Sequence, residues 1–515
     1  MPKPDRYDQQ WIDKQLMPFP LEFRKSLLND YYAESSSFIA NTNLRLSTLN
    51  VANALNANPQ LFSTFSKDEQ ALIKESEHRA KQALRIKGKY YKLGTDAMYS
   101  ALVRFIERIE IPAPKISTSL TLKGVNPLTG LIERMCDSSW WLRSLRKQNN
   151  QRIEIAGRCL NVINKQNQIY VTDITANNRK QQLAKSIDML NNVIATNEGG
   201  YSASLAELSK LSVSNPEIRK AELNCRIRGL EDLSKILKHD GLFITMTCPS
   251  KYHASFAKTG DRNPKWNGAT PIDAQAYLNK TFSLIRAQLN RENIRLYGIR
   301  VAEPNHDGTP HWHLLVFIEP QHNQRIKQIF NDYCFAEDGN EKGAKKARLT
   351  FVDINEKLGS ATGYIVKYIS KNIDGKHLDK GIYGEDPITA AERVNAWASC
   401  FGIRQFQQLG GVSVSVWREL RRISETLTNE FENIEPLRQA ADSSDWATYT
   451  KIMGGVFCKR NEQLLRPFYD LKSSNGELKT NKYGDSFIKQ LRGISYTDLP
   501  LITRTHQWEL SKRQP

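Results

Sequence analysis

The chain of 515 residues carries 73 Lys and Arg against 55 Asp and Glu, a formal net charge of +18, with 40% hydrophobic residues. That length is enough for roughly three domains with buried cores, and the positive balance favours polyanionic partners through counterion release. Seven scattered cysteines without a CxxC pair argue against a disulfide framework or a zinc ribbon, and the lack of any apolar run near ~20 residues argues against a helical membrane span.

Residues 1–120 read as a helical region, with the proline-marked IERIEIPAPKIS at 106–117 as its boundary. The opening MPKPDRYDQQ has no apolar signal core, which fits a cytoplasmic protein. Residues 121–235 read as a mainly helical, basic region. Within it, WWLRSLRK places Trp140, Trp141, Arg143, Arg146 and Lys147 on one helix. Such a helix either touches DNA backbone and bases or packs amphipathically, and the sequence leaves both open.

From 236 to 425 the pattern changes to strands separated by helices. GLFITMT reads as a central strand and PIDAQAYLNKTFSLIRAQLNRE as a helix. Next come two strand-like runs, LYGIRVAE and HWHLLVFIEP, joined by PNHDGTP, whose Pro, Asn, Asp and Gly are turn formers. The strand period of two aims His311 and His313 at one face and Trp312 at the other. If Tyr297 to Glu303 pairs antiparallel with His311 to Ile318, Glu303 falls opposite His311 on the same face. Two imidazoles and one carboxylate, with no nearby thiolate, favour Mg²⁺ or Mn²⁺ over a sulfur-rich zinc site and leave positions open for phosphate oxygens. The ordinary alternative is a strand end with two satisfied histidines. His306 and Asp307 read as loop formers.

A helix near 322–334 and a strand over RLTFVDI precede GSATGYIVKYISKNIDG, which reads as one helix bracketed by Gly363 and Gly375. Tyr364 and Tyr368 share a face of it, and each is followed three residues later by a lysine, Lys367 and Lys371. A tyrosine pair at this spacing ordinarily packs. As nucleophiles, phenols with a pKa near ~10 need help at neutral pH, which a neighbouring cation or a lysine ammonium supplies by stabilising phenolate. VSVSVWRELRRISETL reads as a further strand and a basic helix before a mainly helical region over 426–515. The fold class is therefore α+β: an antiparallel sheet packed by helices and flanked by mainly helical N- and C-terminal regions. No GxxxxGK[ST] sequence occurs, so no ATP-driven motor is expected.

Taken in order, the His-hydrophobic-His strand and the downstream YxxKY helix resemble the HUH endonucleases that initiate rolling-circle replication. More narrowly, the chain resembles the replication gene A protein family of tailed temperate bacteriophages. The stretches that carry the resemblance are GLFITMTCPSKYH at 241–253, VAEPNHDGTPHWHLLVF at 301–317, YIVKYISKNIDG at 364–375 and FGIRQFQQLGGVSVSVWRELRR at 401–422. RMCDSSWWLRSLRK, YVTDITANNRKQQ, LSVSNPEIRKAELNCRIRGLE and DWATYTKIMGGV extend it to roughly residues 120–475.

The resemblance implies an HUH endonuclease domain over 236–425 that nicks one strand at an origin in a metal-dependent way. A tyrosine would become joined to the 5′ phosphate, and the free 3′ hydroxyl would prime synthesis. With two active tyrosines, one holds the parental end while the other cuts the regenerated origin and releases a circle. Expected partners are single-stranded or locally melted origin DNA, a host helicase and the replication machinery, in the cytoplasm of a bacterial host. A two-tyrosine transposase shares the motif order and chemistry. A plasmid relaxase does not, because its nucleophile precedes the histidines. The non-enzymatic alternative is a basic DNA-binding protein that never forms a covalent adduct.

Overall fold

The structure is a computed structural model. It describes the chain apart from residues 1–3, 56–67, 116–127, 356, 358, 377, 382, 472, 475, 476, 479, 480, 485–488, 514 and 515. Two compact units divide it: residues 1–156 with 469–491, and residues 157–468 with 492–515. The expected boundary at residue 120 lies outside the described residues.

The first unit is built mainly of helices. In Thr95–Glu107 the residues Met98, Ala101, Leu102 and Ile106 recur at helical spacing and are buried, as are Leu72, Ala80 and Ala83 of Glu69–Tyr90. The WWLRSLRK segment lies on Ser138–Cys159. Trp141 is fully buried there, its indole Nε1–H donating to the Met135 carbonyl at 2.8 Å, and Arg146 is tied to Glu69. Those two side chains are spent on packing, while Arg143 and Lys147 remain exposed.

The second unit is organised by a five-stranded antiparallel sheet. Its strands are β1 (Asp240–Thr247), β2 (Leu296–Pro304), β3 (Pro310–Ile318), β4 (Leu349–Asp353) and β5 (Phe406–Leu409), in the order β4-β1-β3-β2-β5. HWHLLVFI is thus the middle strand, with GLFITMT beside it. Alternation gives each face its own core. Leu242, Ile244, Trp312, Leu314 and Val316 pack with Ala274, Leu278 and Ile285 of the helix Pro271–Arg291. On the opposite face Phe243, Ile299, Val301, Leu315 and Phe317 cluster with Ile227 and Leu230 of Pro216–Leu237 and with Ile365 and Ile369 of Ala361–Ile373. A sheet covered by helices on both faces accounts for its near-continuous apolar runs.

Two local expectations are corrected. VSVSV is not a strand: β5 ends upstream at Leu409, Gly410 and Gly411 turn the chain at φ +64° and +75°, and Ser413 caps a helix over Val414–Leu420 by accepting from the Val416 N–H. Alternating β-branched residues imitate a strand, but the glycine turn and the serine cap decide otherwise. Among the described residues of 426–515 the helices end at Ile452, and strands follow. Gly493–Tyr496 pairs with Leu499–Ile502, and Trp508–Lys512 pairs with Val193–Asn197. The partner of that last strand lies some three hundred positions away in sequence, as residue numbers show, so local pattern carries no signal of it.

Candidate active site

The hairpin sets the first half of the site. Glu303 pairs with His311 and Val301 with His313, the register anticipated from the alternation. The ligating atoms of Glu303, His311 and His313 all lie within 4.8 Å of one another. His311 Nε2 is 3.9 Å and His313 Nε2 3.7 Å from Glu303 Oε2, and the two nitrogens are 3.0 Å apart. Two ring nitrogens at that distance must share a proton or a cation, since two bare lone pairs repel. Thr245 on β1 sits cross-strand from His313 and lies 3.0 Å from its Nδ1, which turns Nε2 toward the group.

The electrostatics suit a cation. Burial holds the His311 imidazole well below its ordinary value, with His313 adding to the effect and Glu303 opposing it, so the ring is neutral and free to ligate. Burial alone would raise the Glu303 carboxyl. Lys371, His313 and His311 outweigh it and hold the group well below the carboxylate range, hence ionised. A buried donor set of two nitrogens and one carboxylate oxygen could hold a divalent metal ion.

The second half is the helix Ala361–Ile373. Its start is fixed twice: Ser360 Oγ accepts from the Gly363 N–H at 3.0 Å, and the buried Glu231 carboxylate accepts from the Ala361 and Thr362 N–H groups, each at 2.9 Å. An anion at this end also suits the helix dipole. Ala361, Ile365, Ile369 and Ile373 form the buried ridge. Gly375, at φ +67°, then closes the segment where a Cβ would stand 2.1 Å from the Pro387 carbonyl oxygen.

Docked on that ridge, the helix brings the tyrosines to the hairpin. The Tyr368 ring centroid lies 4.0 Å from that of His313 and 5.4 Å from that of Phe243. Tyr364 lies 5.1 Å from the Phe243 ring and is 40% exposed. Burial, then the negative charge of Glu303 and the neighbouring Tyr364, push the Tyr368 phenol up to about 12. Its ionisation therefore needs a compensating positive charge.

The two lysines divide. Lys367 Nζ stands over both rings, 5.2 Å from the Tyr364 centroid and 4.9 Å from that of Tyr368. Lys371 pairs with the carboxylate: its buried Nζ is 3.2 Å from Glu303 Oε2 and 5.5 Å from the Tyr170 ring. Thr245, Phe243, Tyr170 and Asn372 are site residues that sequence reasoning missed. Asn372 follows Lys371 directly and repeats the four-residue step from Tyr368, which was a usable signal. Tyr170 lies far upstream and left none.

His306 and Asp307 are indeed turn residues, and Asp307 is the buried anchor of that turn. Its carboxylate accepts from the Ala254 N–H at 2.8 Å, the Thr309 N–H at 3.0 Å and the Thr309 hydroxyl at 3.0 Å, with His253 Nδ1 at 3.4 Å. Burial opposes ionisation, but His253 and Arg158 outweigh it and hold the carboxyl well below its usual range. Asp307→Ala is expected to destabilise the fold by about 3–5 kcal/mol, read as a loss of thermal or denaturant stability, because it breaks a buried charged network. A folded pKa below the unfolded value of ~3.9 stabilises above that pH and ceases to do so as pH falls toward the folded value. The gap between wild type and variant should therefore narrow below about pH 4.

Fold and site together define an α+β protein in which a buried Glu/His/His group faces a tyrosine helix. Residues 63–376, more than half of the chain, match the bacteriophage replication gene A protein (GPA) family, and the chain belongs to that family. The match starts well before residue 120, so part of the N-terminal helical region belongs to it too. The chain is 39% identical over 394 residues to the replication gene A protein of Escherichia phage 186, covering 74% of this chain and 55% of that relative. It is 35% identical over 438 residues to the replication protein of Haemophilus phage HP1, covering 83% and 54%. A Salmonella typhimurium protein named "Probable replication endonuclease from prophage-like region" is 33% identical over 374 residues, covering 70% and 46%. The chain thus spans about half the length of these relatives. No solved structure gives a significant match.

Proposed function

We propose that the protein initiates phage-type rolling-circle replication by nicking one DNA strand and joining itself to the 5′ end through tyrosine. The observation that carries this reading is the Tyr368 ring 4.0 Å from His313, inside reach of the Glu303, His311 and His313 group. Support also comes from the family and from relatives named for replication, several of them as probable replication endonucleases.

In the proposed step the phenolic oxygen of Tyr364 or Tyr368 attacks the scissile phosphorus, and its proton passes to solvent. A phosphotyrosine ester forms as the bond to the 3′ oxygen breaks, and that oxygen takes up a proton to become the 3′ hydroxyl primer. One ester replaces another, so the energy needed for rejoining is retained. Glu303, His311 and His313 would hold Mg²⁺ or Mn²⁺, which supplies polarisation of the phosphate and stabilisation of developing charge. Lys367 offsets phenolate charge on whichever tyrosine attacks. The second tyrosine serves the strand transfer that releases a circle. Origin DNA that is single-stranded or melted, a host helicase and the host cytoplasm complete the proposal. Among the described residues, no helix is long and apolar enough to cross a membrane.

The test is to incubate the protein with labelled single-stranded DNA from its own genome, with and without Mn²⁺. A labelled adduct that survives SDS and requires the metal is expected. DNA binding without any adduct would instead identify a binding protein. Affinity should fall steeply as salt rises, because a chain of +18 charge releases counterions from phosphate, while sequence preference survives better. Affinity that stays flat from low to physiological salt would contradict a phosphate-contacting surface.

A further inference from the structure

Asn372 is wholly buried and bridges the two halves of the site. Its side-chain N–H group donates to Glu303 Oε1 and also to the Tyr368 carbonyl at 2.7 Å. Behind it, Gln405 Nε2 donates to Asn372 Oδ1 at 3.2 Å and to the Asn372 carbonyl at 3.3 Å. The orientation of each amide is fixed independently, because a backbone carbonyl only accepts: the Tyr368 carbonyl demands Nδ2 of Asn372, and the Asn372 carbonyl demands Nε2 of Gln405. Asn372 must therefore present a donor, not an acceptor, to the carboxylate.

The consequence is a division of labour on Glu303. Oε1 is held by Asn372, while Oε2 faces Lys371 and both histidines. The same amide grips the backbone of the helical turn that carries Tyr368. We infer that Asn372, locked by Gln405, is a positioning residue that presents Glu303 Oε2 to the divalent cation and ties the cation's place to that of the nucleophile helix. The inference rests on the metal reading of the Glu/His/His group and goes beyond it, since it concerns a buried residue outside that group.

Mn²⁺ affinity, measured by calorimetry on the whole protein without DNA, reads this directly. Outer-shell partners of a metal ligand are worth on the order of 10- to 100-fold in metal affinity. Asn372→Leu, which keeps similar bulk but removes the donor, should weaken Mn²⁺ binding by that order while the protein still melts cooperatively. Gln405 gives a milder handle should Asn372→Leu fail to fold. Gln405→Ala should weaken Mn²⁺ binding less, and Gln405→Glu more, because a carboxylate there repels Asn372 Oδ1 and favours the flipped amide. Gln405 variants with affinity unchanged, or Glu no worse than Ala, would overturn the inference while leaving the metal reading intact. Wild-type protein that takes up no Mn²⁺ would sink both.

Discussion

His311→Ala and His313→Ala are each expected to lower nicking by at least on the order of a hundredfold, with the fold and general DNA affinity largely intact. Both rings send Nε2 toward Glu303 Oε2, so removing either takes away one of the converging donors. Glu303→Gln keeps the shape and loses the charge. Cleavage should weaken and the metal requirement rise. Part of that effect will be stability, since Lys371 would be left buried without its counter-charge, at a cost of about 3–5 kcal/mol. Melting each variant beside the activity assay separates the two contributions. A double-histidine variant that cleaves at the wild-type rate in chelator-treated buffer with metal restored would refute the metal assignment.

The second large effect belongs to the tyrosines. One helical turn separates Tyr364 from Tyr368, roughly 5–6 Å between Cβ atoms, a spacing that in the proposed mechanism lets both reach one phosphate in alternation. Tyr364→Phe and Tyr368→Phe should each retain some single-step cleavage of a short oligonucleotide, while neither completes strand transfer. Tyr368→Phe should cost more in the first cut, because its ring lies against His313 whereas Tyr364 is the more exposed. The double Phe variant should form no adduct at all.

Much of this site was legible in sequence because its geometry is local. A turn-forming PNHDGTP between two strand-like runs fixes the hairpin register, and register alone sets Glu303 opposite His311. The tyrosine helix was likewise visible from its spacing and from Gly375 past its end, although it begins at Ala361, before the Gly363 expected to bracket it. What stayed hidden depends on contacts across the chain. Nothing near Lys371 says that its ammonium pairs with Glu303, and Tyr170 and Gln405 enter only through folding. VSVSV misled because the adjacent Gly410-Gly411 turn and the Ser413 cap outweigh β propensity. The later strands near the C-terminal end pair with distant or very short segments, where periodicity is too brief to read.

Peptide mapping of the trapped adduct tests the central claim most directly. Protein cross-linked to labelled origin DNA in Mn²⁺ would be digested, and the nucleotide-bearing peptide sequenced. The account predicts the label within Ala361–Ile373, on Tyr364 or Tyr368. Label on a tyrosine outside this helix, such as Tyr333 or Tyr383, would contradict the paired-nucleophile mechanism even if nicking itself were observed.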